Sequence, residues 1–121
     1  MIPLVFLAIK ASFKVAKKDI KSIELAKENY LIEHINDYTY YIDEGDKWIE
    51  KKNWNNAVYR YEQAVKLFPK DFEANYRLAL SYSYTFENKH FEAGKTLTNR
   101  ILKYHPKDPN LLELKAIFEK Q

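Results

Sequence analysis

The chain contains no cysteine, only two glycines and four prolines in 121 residues. The missing cysteines exclude a disulfide framework, a thiol nucleophile and any thiolate zinc site. With so few glycines, no glycine-rich phosphate loop can be drawn, and no Gly/Ser-rich linker separates one domain from another. The three histidines, His34, His90 and His105, stand at no metal-ligand spacing; H-E-x-x-H and G-x-S-x-G are both absent. No catalytic residue, metal ligand or cofactor is therefore expected. Long apolar runs are also missing: residues 2–9 form the longest, far short of the about 20 needed to span a bilayer as a helix. Its lysines come after the apolar run rather than before it, which argues against a secretory signal.

What remains is a chain that is 46% hydrophobic and 31% charged, the balance of an ordered helical protein. Ten tyrosines give it many rings with one apolar face and one polar end, suited to helix contacts or to a binding surface. The net charge of +3 is uneven. Residues 1–27 carry a net +4 through six lysines against Asp19 and Glu24, and the remaining 94 residues carry a net −1. Lysines without a reading motif argue against nucleic acid as a partner. The acidic cluster Asp43, Glu44 and Asp46 spreads around a helix surface and reads as solvated charge.

Apolar residues recur at steps of three and four throughout, and no strand pattern competes with them. Ile2, Phe6, Ile9, Phe13, Ala16, Ile20 and Ile23 mark a basic amphipathic helix. A second helical pattern runs over 19–35, with Asp19 as a candidate cap. Regular helices are predicted near 39–52, 55–68, 72–85, 91–104 and 109–120. The pattern K-x-x-P-K-D occurs twice, at Lys66–Asp71 and Lys103–Asp108. Proline stops one helix and aspartate caps the next, so each copy is a joint, and its recurrence after 37 residues indicates a stacked repeat.

These residues resemble the tetratricopeptide repeat, a 34-residue helix-turn-helix unit with the signature W-x2-L-G-x2-Y, then A-x3-F, then alanine and proline. In a first copy over 38–71, Tyr41, Gly45, Trp48, Ala57, Tyr61, Ala64 and Pro69 take the signature places, and Glu44 stands where leucine is usual. A second copy over 72–108 keeps Leu78, Ala79 and Tyr82, has Gly94 in a small-residue place, and puts Thr98 and Ile101 where the aromatic and alanine would stand. Its extra three residues are expected in the turn around Phe86–His90. Residues 109–121 would be a capping helix and 1–37 extra N-terminal helices, with Ala26-x3-Tyr30 similar to a worn fragment of an earlier unit. The expectation is one all-α domain over 1–121, a right-handed helical-hairpin repeat stack.

The resemblance implies a non-enzymatic protein–protein interaction module that takes a peptide or helix of another protein in a concave groove. Carried over by position, that groove would involve Thr39, Ile42, Asp46, Ile49, Glu73, Tyr76, Leu80, Ser83 and Tyr84. Asp46 and Glu73 would favour a partner bearing lysine or arginine. Ile42 and Asp46 stand where a carboxylate clamp would need its lysine and asparagine, which argues against that mode. Tyr76, Leu80 and Tyr84 are four residues apart and fit core packing as well.

The N-terminal arm has two readings. Ile2, Phe6, Ile9 and Phe13 would cap the repeat stack, since two units need covering. Alternatively Phe6, Ile9 and Phe13, with Lys10, Lys14 and Lys17, would contact an anionic membrane surface. A homo-oligomer is a further reading. The expected location is cytoplasmic or membrane-peripheral.

Overall fold

The structure is a computed structural model that describes the backbone of residues 2–85 and 87–120 and the side chains of residues 20–85 and 87–120. Five helices follow in order: α1 (Ile2–Glu50), α2 (Trp54–Leu67), α3 (Phe72–Tyr84), α4 (Asn88–Leu102) and α5 (Pro109–Glu119). The chain divides into two units, residues 1–35 and 36–121. The readings placed on Phe6, Ile9, Lys10, Phe13, Lys14 and Lys17 fall on side chains outside the described residues.

The helices expected separately over 2–23, 19–35 and 39–52 form the single helix α1. No glycine or proline lies between Pro3 and Gly45, so nothing in that stretch breaks the ladder. Asp19, the expected cap, falls within α1 rather than at a helix start. In the first unit, Ile20, Ile23, Leu25, Leu31 and Ile32 are all exposed. Among the described residues, no helix is long and apolar enough to cross a membrane.

In the second unit the helices form a repeat stack, with α2 against α3, α3 against α4, and α5 against both α3 and α4. The core runs from Ile42 through Ala57, Val58, Tyr61 and Ala64 to Leu78 and Ala79. It continues into Leu97, Ile101, Leu111, Leu114 and Phe118. Small residues set the closest approaches. A Cβ on Gly45 would stand 2.6 Å from Tyr61 Cδ1, and one on Gly94 would stand 2.5 Å from Phe118 Cε1.

The two K-x-x-P-K-D joints make the same hydrogen bonds 37 residues apart. Phe68 N donates to Ala64 O at 3.0 Å and His105 N to Ile101 O at 3.2 Å. Asp71 N donates to Phe68 O at 3.1 Å and Asp108 N to His105 O at 3.2 Å. Each aspartate then caps its helix, Asp71 accepting from Ala74 N at 3.0 Å and Asp108 from Leu111 N at 3.1 Å. Side-chain capping satisfies amide donors that a helix start leaves open. Pro109 costs α5 no hydrogen bond in its first turn.

The first hairpin turns differently. Asn53 N donates to Trp48 O at 2.9 Å and Lys52 N to Ile49 O at 3.0 Å, the paired bonds of a Schellman ending. Lys52 takes the left-handed place at φ 59°.

The expected insertion near Phe86–His90 enters as helix. Residues 85–87 join α3 to α4 with no more residues than 51–53 use between α1 and α2. Buried Gly94, Thr98 and Ile101 lie 37 residues after buried Ala57, Tyr61 and Ala64, so Asn88, Lys89 and His90 add a first turn to α4. That turn is held by His90 Nδ1, 2.8 Å from Thr85 Oγ1, and by the His90 ring, 5.3 Å from the Tyr82 ring.

Candidate functional site

A cleft of about 270 Å³ opens between the C-terminal part of α1 and helix α3. Helical spacing builds both walls: Asp46 and Ile49 are three residues apart on α1, while Glu73, Tyr76, Leu80 and Tyr84 follow one face of α3. Arg77 projects from α3 between the two walls. Its Nε lies 3.2 Å from Asp46 Oδ1 and its NH1 donates to Glu73 Oε2 at 2.9 Å.

Asp46 also accepts from the Tyr61 hydroxyl, so one carboxylate ties α1 to both α2 and α3. Burial and this bond to Asp46 raise the Tyr61 phenol well above its usual range. Burial works against the charge on Arg77, but the carboxylates of Asp46 and Glu73 outweigh it and shift the guanidinium upward. Tyr76 is raised by burial and by the carboxylate of Asp108. Ser81 donates to Arg77 O at 2.8 Å, which leaves its hydroxyl engaged with its own helix.

Of the residues expected in a groove, Asp46, Ile49, Glu73, Tyr76, Leu80 and Tyr84 line this cleft. Three do not. Ile42 is 8% exposed and belongs to the core, Thr39 is exposed away from the cleft, and Ser83 donates to Leu80 O at 2.6 Å from a half-buried position. Thr39 and Ile42 share the side of α1 that carries Asp46 and Ile49 but lie one or two turns before the cleft, and Ser83 stands at the edge of the face shared by Tyr76, Leu80 and Tyr84. Tyr76 and Leu80 also pack against the core while facing the cleft.

Tyr61, Arg77 and Ser81 were missed. The Glu73–Arg77 pair had a visible signal, opposite charges at i and i+4. No local spacing announces a partner for Tyr61 or Arg77 on α1. Arg77 engages both acidic side chains that were expected to favour a lysine- or arginine-bearing partner.

Two more bonds of the same kind bind the stack. Tyr38 donates its hydroxyl to Asp71 Oδ2, and Tyr82 donates to Glu62 Oε1 at 3.0 Å. Burial, then the neighbouring carboxylate, raises both phenols. Tyrosine hydroxyls thus serve this fold as donors to acids on neighbouring elements.

Residues 45–83 match a family model described as TPR repeat. No curated protein and no solved structure matches the chain. The matched segment begins at the glycine that seats Tyr61, runs through α2 and the first joint, and covers most of α3, including nearly all of the cleft's lining. Residues 45–83 therefore carry a tetratricopeptide-type repeat within an all-helical chain.

Proposed function

We propose that the chain is a non-enzymatic protein–protein interaction module that holds a partner's peptide or helix in the cleft between α1 and α3. The observation that carries this is the cleft itself: Ile49, Tyr76, Leu80 and Tyr84 offer apolar and aromatic surface around an Asp46–Arg77–Glu73 cluster. Repeats of this type generally bind other proteins, and such grooves gain affinity from buried aromatic anchors. With the acids paired to Arg77, the surface suits a partner segment whose apolar side chains enter beside the ion cluster. Hydrogen bonding from that segment would fall to Arg77 and Tyr84.

Affinity capture from a lysate, with the captured protein identified by mass spectrometry, tests this when paired with a Tyr76→Ala/Leu80→Ala variant. The wild type should retain a partner that the variant loses while both chains melt together. Equal capture by a folded variant would remove the cleft from the binding surface.

A second reading, self-association, draws on the exposed Ile20, Ile23, Leu25, Leu31 and Ile32. Size-exclusion mass across a concentration series tests it. A mass that stays monomeric for the full chain rejects self-association.

A further inference from the structure

A second cavity, with a volume of about 590 Å³, is built largely from the two joints. The first joint contributes Pro69 and Lys70, and the second contributes Tyr104 and His105. Phe72, Ile101 and Arg100 complete its walls around the buried Asn75. It lies apart from the α1–α3 cleft and shares no lining residue with it.

Its charge is of one sign. Lys70 and Arg100 line it, and no carboxylate does. The three arginines of this chain are treated differently by the fold. Arg60 lies over the rings of Tyr40 and Tyr59, and Arg77 holds two carboxylates. Arg100 instead donates from NH2 to a neutral acceptor, Asn75 Oδ1, at 3.1 Å. Glu92 shares a neighbouring cleft with Arg100 but makes no ion pair with it among the described residues.

The guanidinium is also held in place. Asn75 is 4% exposed, and its Nδ2 donates to Pro69 O at 2.9 Å and to Asp71 O at 2.6 Å. The amide orientation is thereby fixed, and Oδ1 is left to position Arg100. A guanidinium has five N–H donors, so a single bond to Asn75 leaves most of them for a ligand. The partner of choice for a fixed, planar fork is a phosphate or carboxylate, taken in bidentate fashion.

The remaining walls point to a flat apolar body beside the anion. Tyr104 is 79% exposed at the rim, more than any other exposed large hydrophobic side chain among the described residues, and its ring is open to a ligand. Pro69 and Ile101 provide apolar surface, and the Phe72 ring lies 4.5 Å from the His105 ring. The volume falls in the small-molecule range. We propose that this pocket binds a phosphate monoester carried on an aromatic ring, with Arg100 and Lys70 on the phosphate and Tyr104 against the ring. Two cations without a facing acid match a doubly charged phosphate better than a singly charged carboxylate.

An NMR titration of the full chain with phenyl phosphate tests this, beside inorganic phosphate, benzoate and a short tyrosine-phosphorylated peptide. Phenyl phosphate should shift the amides of residues 69–75 and 100–105 saturably, and bind more tightly than inorganic phosphate or benzoate. Tighter binding of the peptide than of phenyl phosphate assigns the ring to phosphotyrosine; the reverse order assigns it to a free aryl phosphate, and the pocket stands in both cases. Arg100→Gln should weaken binding about tenfold or more, while Arg60→Gln leaves it unchanged. Lys70→Ala, at an exposed joint position, supplies a second variant if Arg100→Gln lowers the melting temperature. No saturable shift at the pocket, benzoate binding as tightly as phenyl phosphate, or undiminished binding by both variants would overturn the proposal.

Discussion

Gly45 and Tyr61 occupy one site between α1 and α2: the Tyr61 ring fills the space a Cβ at position 45 would need, 2.6 Å from Cδ1 and closer still to Cε1. Tyr61 is 2% exposed and cannot swing outward without giving up its bond to Asp46. Gly45→Ala should therefore destabilise the chain by about 1–3 kcal/mol, despite alanine's better helix propensity. Denaturant midpoints measure it. Combining Gly45→Ala with Tyr61→Val should cost less than the two single changes together, because the methyl then has room. Strict additivity would show that ring and glycine do not compete for the same space.

Lys52 offers a change in the opposite direction. It ends α1 in the left-handed region at φ 59°, in the Schellman position where glycine has no Cβ to strain. Lys52→Gly should raise stability by about 0.5–1 kcal/mol, the relief of left-handed strain exceeding the added chain entropy of glycine. A thermal melt that falls instead would mean that the lysine side chain contributes more here than its backbone costs.

Such features divide what the sequence makes legible from what it does not. Periodicity and the paired Pro–Lys–Asp joints announced α2, α3 and α5 closely, because amphipathic spacing, proline stops and aspartate caps are local causes. The match of Gly45, Ala57 and Tyr61 to the repeat signature likewise announced where helices approach. The unbroken α1 was less legible, since Asp19 has a capping residue's chemistry but no neighbouring breaker to end the preceding helix. Six of the nine expected groove residues line one cleft because they share helix faces. Arg77 neutralising Asp46 escaped notice, for a contact across 31 residues depends on how α1 and α3 pack. The pocket between the joints was equally hidden: two stretches that read as pure architecture meet only after α3 and α4 stack.

Tyrosine burial predicts how the fold fails in alkali. Tyr61 and Tyr82 are buried, and both phenols are raised above the usual value near 10. In the unfolded chain they ionise at about that ordinary value, while in the fold they stay neutral. Their contribution is therefore complete below about pH 10 and is lost as pH rises above it, by about 1.4 kcal/mol per tyrosine per pH unit. Tyr82→Phe removes the bond to Glu62 and should cost about 1 kcal/mol near neutral pH. Above about pH 10 its stability should fall less steeply than that of the wild type. Urea midpoints across this range, read beside tyrosinate absorbance, decide it; parallel curves would mean that Tyr82 ionises as freely in the fold as in the unfolded chain.

The duplicated joints allow a comparison inside one molecule. Asp71 and Asp108 share the cap bond to the third residue on, Ala74 N and Leu111 N; Asp108 adds a local bond from Asn110 N, whereas Asp71 adds one from the hydroxyl of Tyr38 on another helix. Losing a cap costs about 1 kcal/mol, and a hydrogen bond to a charged acceptor adds about 1.5 kcal/mol or more. Asp71→Ala should thus destabilise at least about twice as much as Asp108→Ala. In a Tyr38→Phe background the hydroxyl is absent, so the two alanine changes should cost nearly the same. Urea unfolding of the four variants separates the shared capping role from the added tie to α1. If Asp71→Ala stayed the costlier change by the same margin without the hydroxyl, the Tyr38 bond could not be the source of the difference between the joints.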